Sequence, residues 1–187
     1  MFTEGMEMTR IPVVEEEVPV PGAVKVELRE RVLTVRGPKG TVSREFFHPR
    51  LRLSHSGGKV RVETRSASRR EKALVGTWAA HVKNMIRGVE RPWVYNMKAV
   101  YAHFPVKMTV KDGALVIENF LGERHPRRAK IVGDTKVTVK GQELIIEGPN
   151  IEDVGQTAAN IEMATRVRNR DPRVFQDGIY ITSKGAD

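Results

Sequence analysis

The alternation of apolar and polar residues predicts four strands in the first half of the chain. Short alternating runs occupy residues 24–28, 32–36, 41–47 and 59–64, and turn sequences such as GPKG at 37–40 separate them. Alternation with a period of two residues, bounded by glycine and proline, is typical of antiparallel strands joined by tight turns. We therefore expect the first half to begin with a small antiparallel sheet.

A helix is predicted after these strands, because the apolar period changes to three or four residues. Ser66 or Ser68 is the candidate N-cap, and Gly88 followed by Pro92 marks the end of the helix. The apolar face of this helix consists of Val75, Trp78, Ala79, Val82, Ile86 and Val89.

The second half of the chain repeats this order of strands followed by one helix. Asp112 and Gly113 form a strong hairpin signal. Asn150 is a candidate N-cap, with Asp153 in the reciprocal position of a weak capping box. The predicted strands occupy residues 97–104, 106–111, 114–119, 129–132, 135–139 and 143–147. The apolar face of the second helix consists of Ile151, Val154, Ala158, Ile161 and Thr165.

An internal duplication accounts for these two similar halves. The run LTV at 33–35 corresponds to LVI at 115–117, and the helices align with Gly76 on Gly155. The sequence therefore predicts an α+β fold of two tandem duplicated domains, each a small antiparallel sheet packed against one helix. The predicted divisions are an acidic, proline-containing N-terminal tail at 1–21, domains at 22–91 and 92–182, and a C-terminal tail at 183–187.

Charge is the strongest compositional signal. The chain has 32 Lys and Arg against 23 Asp and Glu, a net charge of +9 and a pI near 10.0. The excess is concentrated at 18–93, whereas 1–17 carries five glutamates and one arginine. Such a balance favours a polyanionic partner, of which nucleic acid is the usual intracellular example. The alternative is that the positive surface serves solubility alone.

Several function classes find no support in the sequence. There is no cysteine, and no apolar stretch approaches the ~18–20 residues that span a membrane. The five histidines are scattered without zinc spacing, and no phosphate-binding glycine loop or nucleophile motif occurs. The glutamates at 15–17 are interpreted as a solvated charge run in the tail. We expect a soluble intracellular protein that is not an enzyme, with no catalytic residue, metal, cofactor or membrane partner.

Three basic clusters fall in loops or at the ends of predicted elements. The first lies in a proline-interrupted loop at 122–130, and the third at the start of the first helix. The second follows the second helix at 166–173, where the helix dipole would itself favour one or two cations but not four arginines. At the third cluster, at the start of the first helix, the helix dipole disfavours cations. The presence of basic residues there therefore requires either an external anion or a poorly ordered loop.

Arginine forks in such positions are suited to phosphate groups. We expect binding to read shape and backbone, with a steep loss of affinity in salt. These features alone do not distinguish RNA from DNA.

Several long runs resemble the large-subunit ribosomal protein L6 family in its archaeal and eukaryotic form. The runs are LTVRGPKG at 33–40, HVKNMIRGV at 81–89, IENFLGERHPRRAKI at 117–131, VGQTAANIEMATRVR at 154–168 and RVFQDGIYIT at 173–182. The residues before Met8 look like an upstream extension relative to that family, and the longer basic tail of some members does not follow the last run. The resemblance covers residues 18–182 and implies a duplicated α+β protein bound to large-subunit ribosomal RNA (rRNA).

In that family the second domain makes the principal RNA contacts, and the resemblance carries these contacts onto 124–130 and 166–180. Tyr180 would stack on RNA or donate a hydrogen bond to it, the alternative being packing on its own sheet, and Gly178 would permit close backbone approach. Phe175 is expected to anchor the tail on its own domain. The full expected set of rRNA contacts is Arg124, His125, Arg127, Arg128, Lys130, Arg166, Arg168, Asn169, Arg170, Arg173, Gln176, Gly178, Tyr180, Lys184, Arg65, Arg69 and Arg70.

The function expected from this resemblance is a structural constituent of the large subunit in the cytoplasm. It would lie near the sarcin–ricin loop and the base of the factor-binding stalk, and would support subunit assembly and translation. Its partners would be large-subunit rRNA, neighbouring ribosomal proteins and nearby translation factors. The alternative is a free-standing regulatory module that binds structured RNA or DNA.

Overall fold

The computed structural model describes residues 11–171 and 173–185, which divide into two compact units. Unit 1 is Met1–Glu90 and unit 2 is Arg91–Asp187, so the division falls one residue before the predicted boundary. Each unit has its own apolar core.

Unit 1 consists of two three-stranded antiparallel sheets and one long helix. The sheet orders are β1-β6-β5 and β2-β3-β4, and the helix packs on both sheets. The elements are β1 (Ile11–Pro19), β2 (Lys25–Arg29), β3 (Val32–Gly37), β4 (Gly40–Glu45), β5 (Leu51–Ser56), β6 (Lys59–Ala67) and α1 (Arg69–Glu90).

Unit 2 has the same order of elements and one additional strand. Its antiparallel sheets have the orders β10-β9-β8 and β11-β12-β7-β13, and a short 3-10 turn, Phe120–Gly122, joins β9 to β10. The elements are β7 (Trp93–Val100), β8 (Lys107–Lys111), β9 (Ala114–Glu118), β10 (Arg127–Lys130), β11 (Lys136–Lys140), β12 (Glu143–Gly148), α2 (Ile151–Ala164) and β13 (Gly178–Gly185).

The predicted duplicated α+β fold is confirmed, with two sheets rather than one in each unit. In both units the first strand pairs with the last strand before the helix, β1 with β6 and β7 with β12. The three strands after the first form the second sheet, β2-β3-β4 in unit 1 and β8-β9-β10 in unit 2. The 3-10 turn and β13 have no counterpart among the described residues of unit 1, and β13 extends the larger sheet of unit 2 at β7.

The predicted N-terminal tail is wrong for residues 11–19, which form β1. Strand β1 lies at the edge of its sheet, where proline is tolerated because one row of backbone groups has no strand partner. The glutamates are not a loose charge run: Glu17 accepts hydrogen bonds from Lys59 and Arg61, and Glu16 accepts one from Lys83 of α1. The bond from Lys59, followed by that from Arg61, lowers the pKa of Glu17. Residues 1–10 of the predicted tail lie outside the described residues.

The predicted C-terminal tail at 183–187 is wrong in its first three residues, which continue β13. Pairing with β7 holds this segment, with an irregularity of register between Ile181 and Ser183. The strand β5 was also not predicted, because LRLSHS at 51–56 carries two apolar residues only and is completed as a strand by pairing with β6. Residues 186–187 lie outside the described part of the chain.

The apolar faces predicted for the helices face the two cores. In α1 the residues Val75, Ala79, Val82 and Val89 are almost completely buried, and in α2 the same holds for Val154, Ala158 and Ile161. Asn150 is confirmed as the N-cap of α2, since its side chain accepts a hydrogen bond from the amide of Glu152 at 3.1 Å. The carboxylate of Asp153 accepts from the side-chain amide of Asn150.

The start of α1 depends on a buried carboxylate, Glu71. Of the two candidate caps, Ser68 directly precedes the helix, and both its hydroxyl and its amide donate to Glu71. Arg50 donates to the other carboxylate oxygen at 2.9 Å. The hydrogen bond from the Ser68 side chain, with help from the backbone and Arg50, lowers the pKa of Glu71 from 4.5 to about 2.

We expect the Glu71 carboxylate to make the stability of the chain depend on pH in the acid range. Its pKa is lower in the folded state than in the unfolded state, so its stabilisation is complete above about pH 5 and is lost as the pH falls towards 2. Glu71→Gln should lower the free energy of unfolding at pH 7 and flatten its decline between these values. Urea unfolding at a series of pH values measures both effects. Glu45→Gln, at an exposed position, is the control, and an equal pH dependence in Glu71→Gln and the wild type would contradict the prediction.

Candidate nucleic-acid interface

The strand β10 separates the basic residues of the first cluster onto two faces. Ala129 is buried against the core, and because side chains alternate along a strand, Arg127 shares its face while Arg128 and Lys130 point to the other. Arg128 and Lys130 are exposed, as are Arg124 and His125 in the preceding loop. The cluster therefore contains one inward arginine and several outward cations.

Arg127 is a structural residue rather than an open cation. Its Nε and Nη2 donate to the two carboxylate oxygens of Glu123 at 2.8 and 2.6 Å, and its Nη1 donates to the carbonyl oxygens of Ala164 and Arg166, both at 2.9 Å. Four of the five N–H groups of the guanidinium are thus occupied. Its side chain is 18% exposed, and its guanidinium carbon lies 4.4 Å from the ring centre of Phe120.

This arginine brings the first and second basic clusters together. Ala164 is the last residue of α2, and Arg166 begins the second cluster, so the bonds from Arg127 join β10 to the end of the helix. The hydrogen bonds from Arg127, and then the charge of Arg170, lower the pKa of Glu123. Two clusters that are about forty residues apart in sequence are therefore held next to each other in unit 2.

The loop before β10 is shaped by a left-handed backbone. Asn119, Leu121 and Gly122 have φ values of 60°, 51° and 75°, and Phe120 is almost completely buried between them. The buried ring anchors the turn, and the left-handed residues reverse the chain. The exposed loop at 123–126 consequently leaves the core from a defined position.

The outer face of the sheet β8-β9-β10 adds cations that sequence analysis missed. Lys111 and Lys130 pair on either side of Ala114, and Thr109 and Arg128 on either side of Val116. Residues directly opposite each other in a sheet share a face, so Lys111, Lys130 and Arg128 lie on the same face of this sheet. The alternation in KMTVK at 107–111 is the signal that could have identified Lys107 and Lys111 as outward residues.

The segment after α2 is ordered by contacts within unit 2. Thr165 is 2% exposed; its hydroxyl donates to the carbonyl groups of Ile161 and Glu162 at the end of α2 and accepts a hydrogen bond from the amide of Ile179 in β13 at 3.1 Å. Asn169 has a φ of 58°, which turns the arginine run. Phe175 packs on the core, as predicted, and the Arg170 guanidinium lies 4.8 Å from the centre of its ring.

The outward arginines of this segment differ in their pairing. Arg166 and Arg168 are exposed. Arg173 forms a salt bridge with Asp171 at 3.0 Å, although its side chain is 89% exposed. The hydrogen bonds from Arg173 lower the pKa of Asp171.

In β13 the structure gives Gly178 a packing role. A Cβ at this position would lie 2.8 Å from Cζ and Oη of Tyr180, so the tyrosine ring occupies the space that the glycine leaves. The Tyr180 hydroxyl donates to the carbonyl oxygen of Gln176 at 3.1 Å, and 47% of the residue remains exposed. Lys184 pairs with Tyr95, whose ring centre is 5.9 Å from its ammonium nitrogen. After the register irregularity, Lys184 therefore lies on the face opposite Tyr180.

The third basic cluster lies in unit 1. Arg69 and Arg70 are the first two residues of α1, so they belong to a helix and not to a loop, and both are exposed. Arg65 is exposed near the end of β6.

Neither a cluster of metal-ligating side chains nor a membrane-spanning helix is present among the described residues. Residues 11–171 and 173–185 contain no group of three or more His, Asp or Glu side chains placed to hold a metal ion. None of the helices there is both long and apolar enough to cross a membrane.

Comparison with known proteins identifies the family of this duplicated α+β protein. The family model for ribosomal protein L6 matches residues 20–91 and again 104–178, one match in each unit. The large ribosomal subunit protein uL6 of Methanocella arvoryzae is 54% identical over 90% of this chain and 96% of its own length. Those of Staphylothermus marinus (50% identical, 96% of this chain and 100% of the relative) and Archaeoglobus fulgidus (46%, 95% and 93%) are similar over nearly their whole lengths. The chain belongs to the ribosomal protein L6 family, whose members are structural proteins and not enzymes.

Substitution of Arg127 should test its structural role separately from nucleic-acid binding. Arg127→Lys removes the two-pronged contact with Glu123 and leaves carbonyl groups at the end of α2 without their donor, which should lower the free energy of unfolding by about 2 kcal/mol. Arg128→Lys, next in the chain but exposed, should change it by less than about 0.5 kcal/mol. Urea unfolding at neutral pH compares the two, and equal stabilities would contradict the assignment.

Proposed function

We propose that this chain is a structural constituent of the large ribosomal subunit, located in the cytoplasm, and that unit 2 binds large-subunit rRNA through its basic surface. Family membership supports the ribosomal role, since the similar archaeal proteins are named as large ribosomal subunit proteins. The protein contributes no chemical step; it neutralises phosphates and holds RNA segments in fixed relative positions.

The observation that carries this proposal is the joining of two arginine clusters by Arg127. Because Arg127 holds the end of α2 against β10, the exposed cations of both segments are presented from one rigid support. Rigid presentation reduces the conformational entropy that side chains and loops lose on binding. A prefolded RNA with a fixed arrangement of phosphates is the partner that suits such a surface.

Most of the residues expected from the sequence are retained as proposed contacts, with two exceptions. Arg127 and Gly178 act within unit 2, the first through its four hydrogen bonds and the second by leaving room for Tyr180. The proposed contacts of unit 2 are Arg124, His125, Arg128, Lys130, Arg166, Arg168, Asn169, Arg170, Arg173, Gln176, Tyr180 and Lys184, and those of unit 1 are Arg65, Arg69 and Arg70.

Tyr180 and Gln176 border a groove of about 900 Å³ between the end of α2 and β13. Exposed Met163 and Arg166 line the same groove, so an unstacked base would find both an apolar wall and a cation there. We include Tyr180 as a stacking or hydrogen-bonding contact at this place.

The finer location in the subunit follows from the resemblance alone. The proposed neighbourhood is the sarcin–ricin loop and the base of the factor-binding stalk, with adjacent ribosomal proteins and translation factors as partners.

The proposal predicts that outward cations of unit 2 are required for assembly. The triple variant Arg128→Gln, Arg166→Gln, Arg168→Gln should reduce incorporation into large subunits roughly ten-fold, since each removed arginine weakens phosphate binding. The measurement is the fraction of tagged protein that sediments with large subunits from a host archaeon, at a salt concentration that strips loosely bound proteins.

A matched control distinguishes the effect of this surface from the effect of losing positive charge anywhere on the protein. Lys25→Gln with Arg29→Gln and Arg31→Gln removes three exposed positive charges around β2 of unit 1 and should leave incorporation near the wild-type level. Full incorporation of the unit 2 variant would contradict the assigned surface. Wild-type protein found away from the subunit peak would favour a free-standing binding module.

A further inference from the structure

A depression of about 200 Å³ lies beside β5 and β6 in unit 1. It is lined by Pro49, Arg50, Arg52, Glu63, Thr64 and Arg65. Half of the lining residues are arginines, all three of them exposed, and Glu63 is the one acid among them. Arg50 and Arg52 are not part of any basic cluster visible in the sequence.

Arg50 is positioned by its neighbours before any ligand arrives. The buried hydroxyl of Thr64 donates to the carbonyl oxygen of Arg50 at 2.9 Å, which holds the backbone. The Nη1 group of Arg50 donates to the carboxylate of Glu71, which has a pKa of about 2 and is therefore ionised at neutral pH. The Arg50 side chain is still 66% exposed. One nitrogen is therefore anchored while the remaining N–H groups can serve a ligand from solution.

Arg52 and Arg65 complete the depression without internal partners. Neither side chain forms a hydrogen bond or ion pair with another residue in the described part of the chain. In the pairing of β5 with β6, Arg52 lies opposite Glu63 and Leu51 lies opposite Thr64. This pairing places the side chains of Arg50, Arg52 and Arg65 around the same depression. Three guanidinium groups around one depression suit an anion with several oxygens, of which phosphate is the chief biological example.

Unit 2 contains the same hairpin without this cluster. The turn pairs Ser56 with Lys59 in unit 1 and Lys140 with Glu143 in unit 2. When these turns are matched, Lys136 stands at the position of Arg52, Asp134 at that of Arg50 and Pro149 at that of Arg65. Unit 2 thus builds the same hairpin without these arginines, and since Arg52 and Arg65 make no hydrogen bond or ion pair with the described residues of unit 1, folding does not explain these two residues.

We propose that this depression is a second RNA-binding site, in which Arg50, Arg52 and Arg65 hold a backbone phosphate of folded RNA. Arg69 and Arg70, exposed at the start of α1, follow Arg65 closely in the chain and add positive charge to unit 1. The lining residues are almost all polar, which favours a phosphate over an apolar protein segment. This inference rests on the proposed function, because it takes RNA as the partner. It adds Arg50 and Arg52 to the unit 1 contacts proposed above and assigns them, with Arg65, to one phosphate.

The test uses the full chain with the unit 2 surface weakened by Arg128→Gln and Arg166→Gln. In this background, Arg52→Gln with Arg65→Gln should lower affinity for a fully paired RNA duplex of about 16 base pairs roughly ten-fold at low salt. The slope of log affinity against log salt should also become shallower, by about 0.9 for each phosphate that the protein no longer neutralises. Arg50 is left in place because its bond to Glu71 supports the start of α1. Circular dichroism and thermal unfolding verify that every variant is folded.

The control in the same background is Lys25→Gln with Arg29→Gln, which removes an equal charge elsewhere in unit 1. Equal affinity and slope in this control and in Arg52→Gln/Arg65→Gln would overturn the second site. The proposed function is judged separately, because it fails if the background substitutions alone leave duplex affinity at the wild-type value. Weaker binding by the background variant, with no further weakening on substitution of Arg52 and Arg65, would leave unit 2 as the RNA-binding unit and remove the site in unit 1.

Discussion

The hydrogen bonds of the Arg127 guanidinium are the interaction on which the basic surface of unit 2 depends. It reaches from β10 to the carbonyl groups at the end of α2, and its other side is held by Glu123 over the ring of Phe120. A helix end presents carbonyl groups without intrahelical partners. Nη1 of Arg127 donates to one of them, that of Ala164, and to the carbonyl of Arg166 just beyond the helix. The most enclosed arginine of the first cluster is thus the support for the outward ones.

Carboxylates hold basic side chains in position at several other places in the two units. Glu71 gives Arg50 its position, Glu17 accepts from two cations of β6, and Asp171 holds Arg173. Each exposed pair contributes little to stability by itself. Its effect is to restrict the conformations of long basic side chains, which reduces the entropy cost when such side chains meet phosphates.

The duplication provides one framework with two different surfaces. In both units the first strand pairs with the strand before the helix, and the helix covers the core. Among the described residues, β13 belongs to unit 2 alone, and its backbone is hydrogen-bonded to the side chains of Thr165 and Glu162 at the end of α2. Unit 1 instead carries three arginines around a depression, at positions where unit 2 has Asp134, Lys136 and Pro149. Binding surfaces have therefore diverged where the framework allows it, at strand ends and in the segments that follow the helices.

The sequence by itself determined the duplicated α+β fold, both helices and their buried faces, and the basic character of the chain. These features depend on local periodicity, capping residues and composition, which neighbouring residues determine. Only the tertiary structure decided the strands β1, β5 and β13, because their pairing partners are far away in sequence or their apolar alternation is weak. It also decided which arginines face outwards. Nothing in the sequence distinguishes Arg127 from Arg128, but alternation along β10 directs Arg127 to the end of α2 and Arg128 to solvent. The depression around Arg50 was equally invisible, since strand pairing and the bond to Glu71 bring together residues that no motif connects.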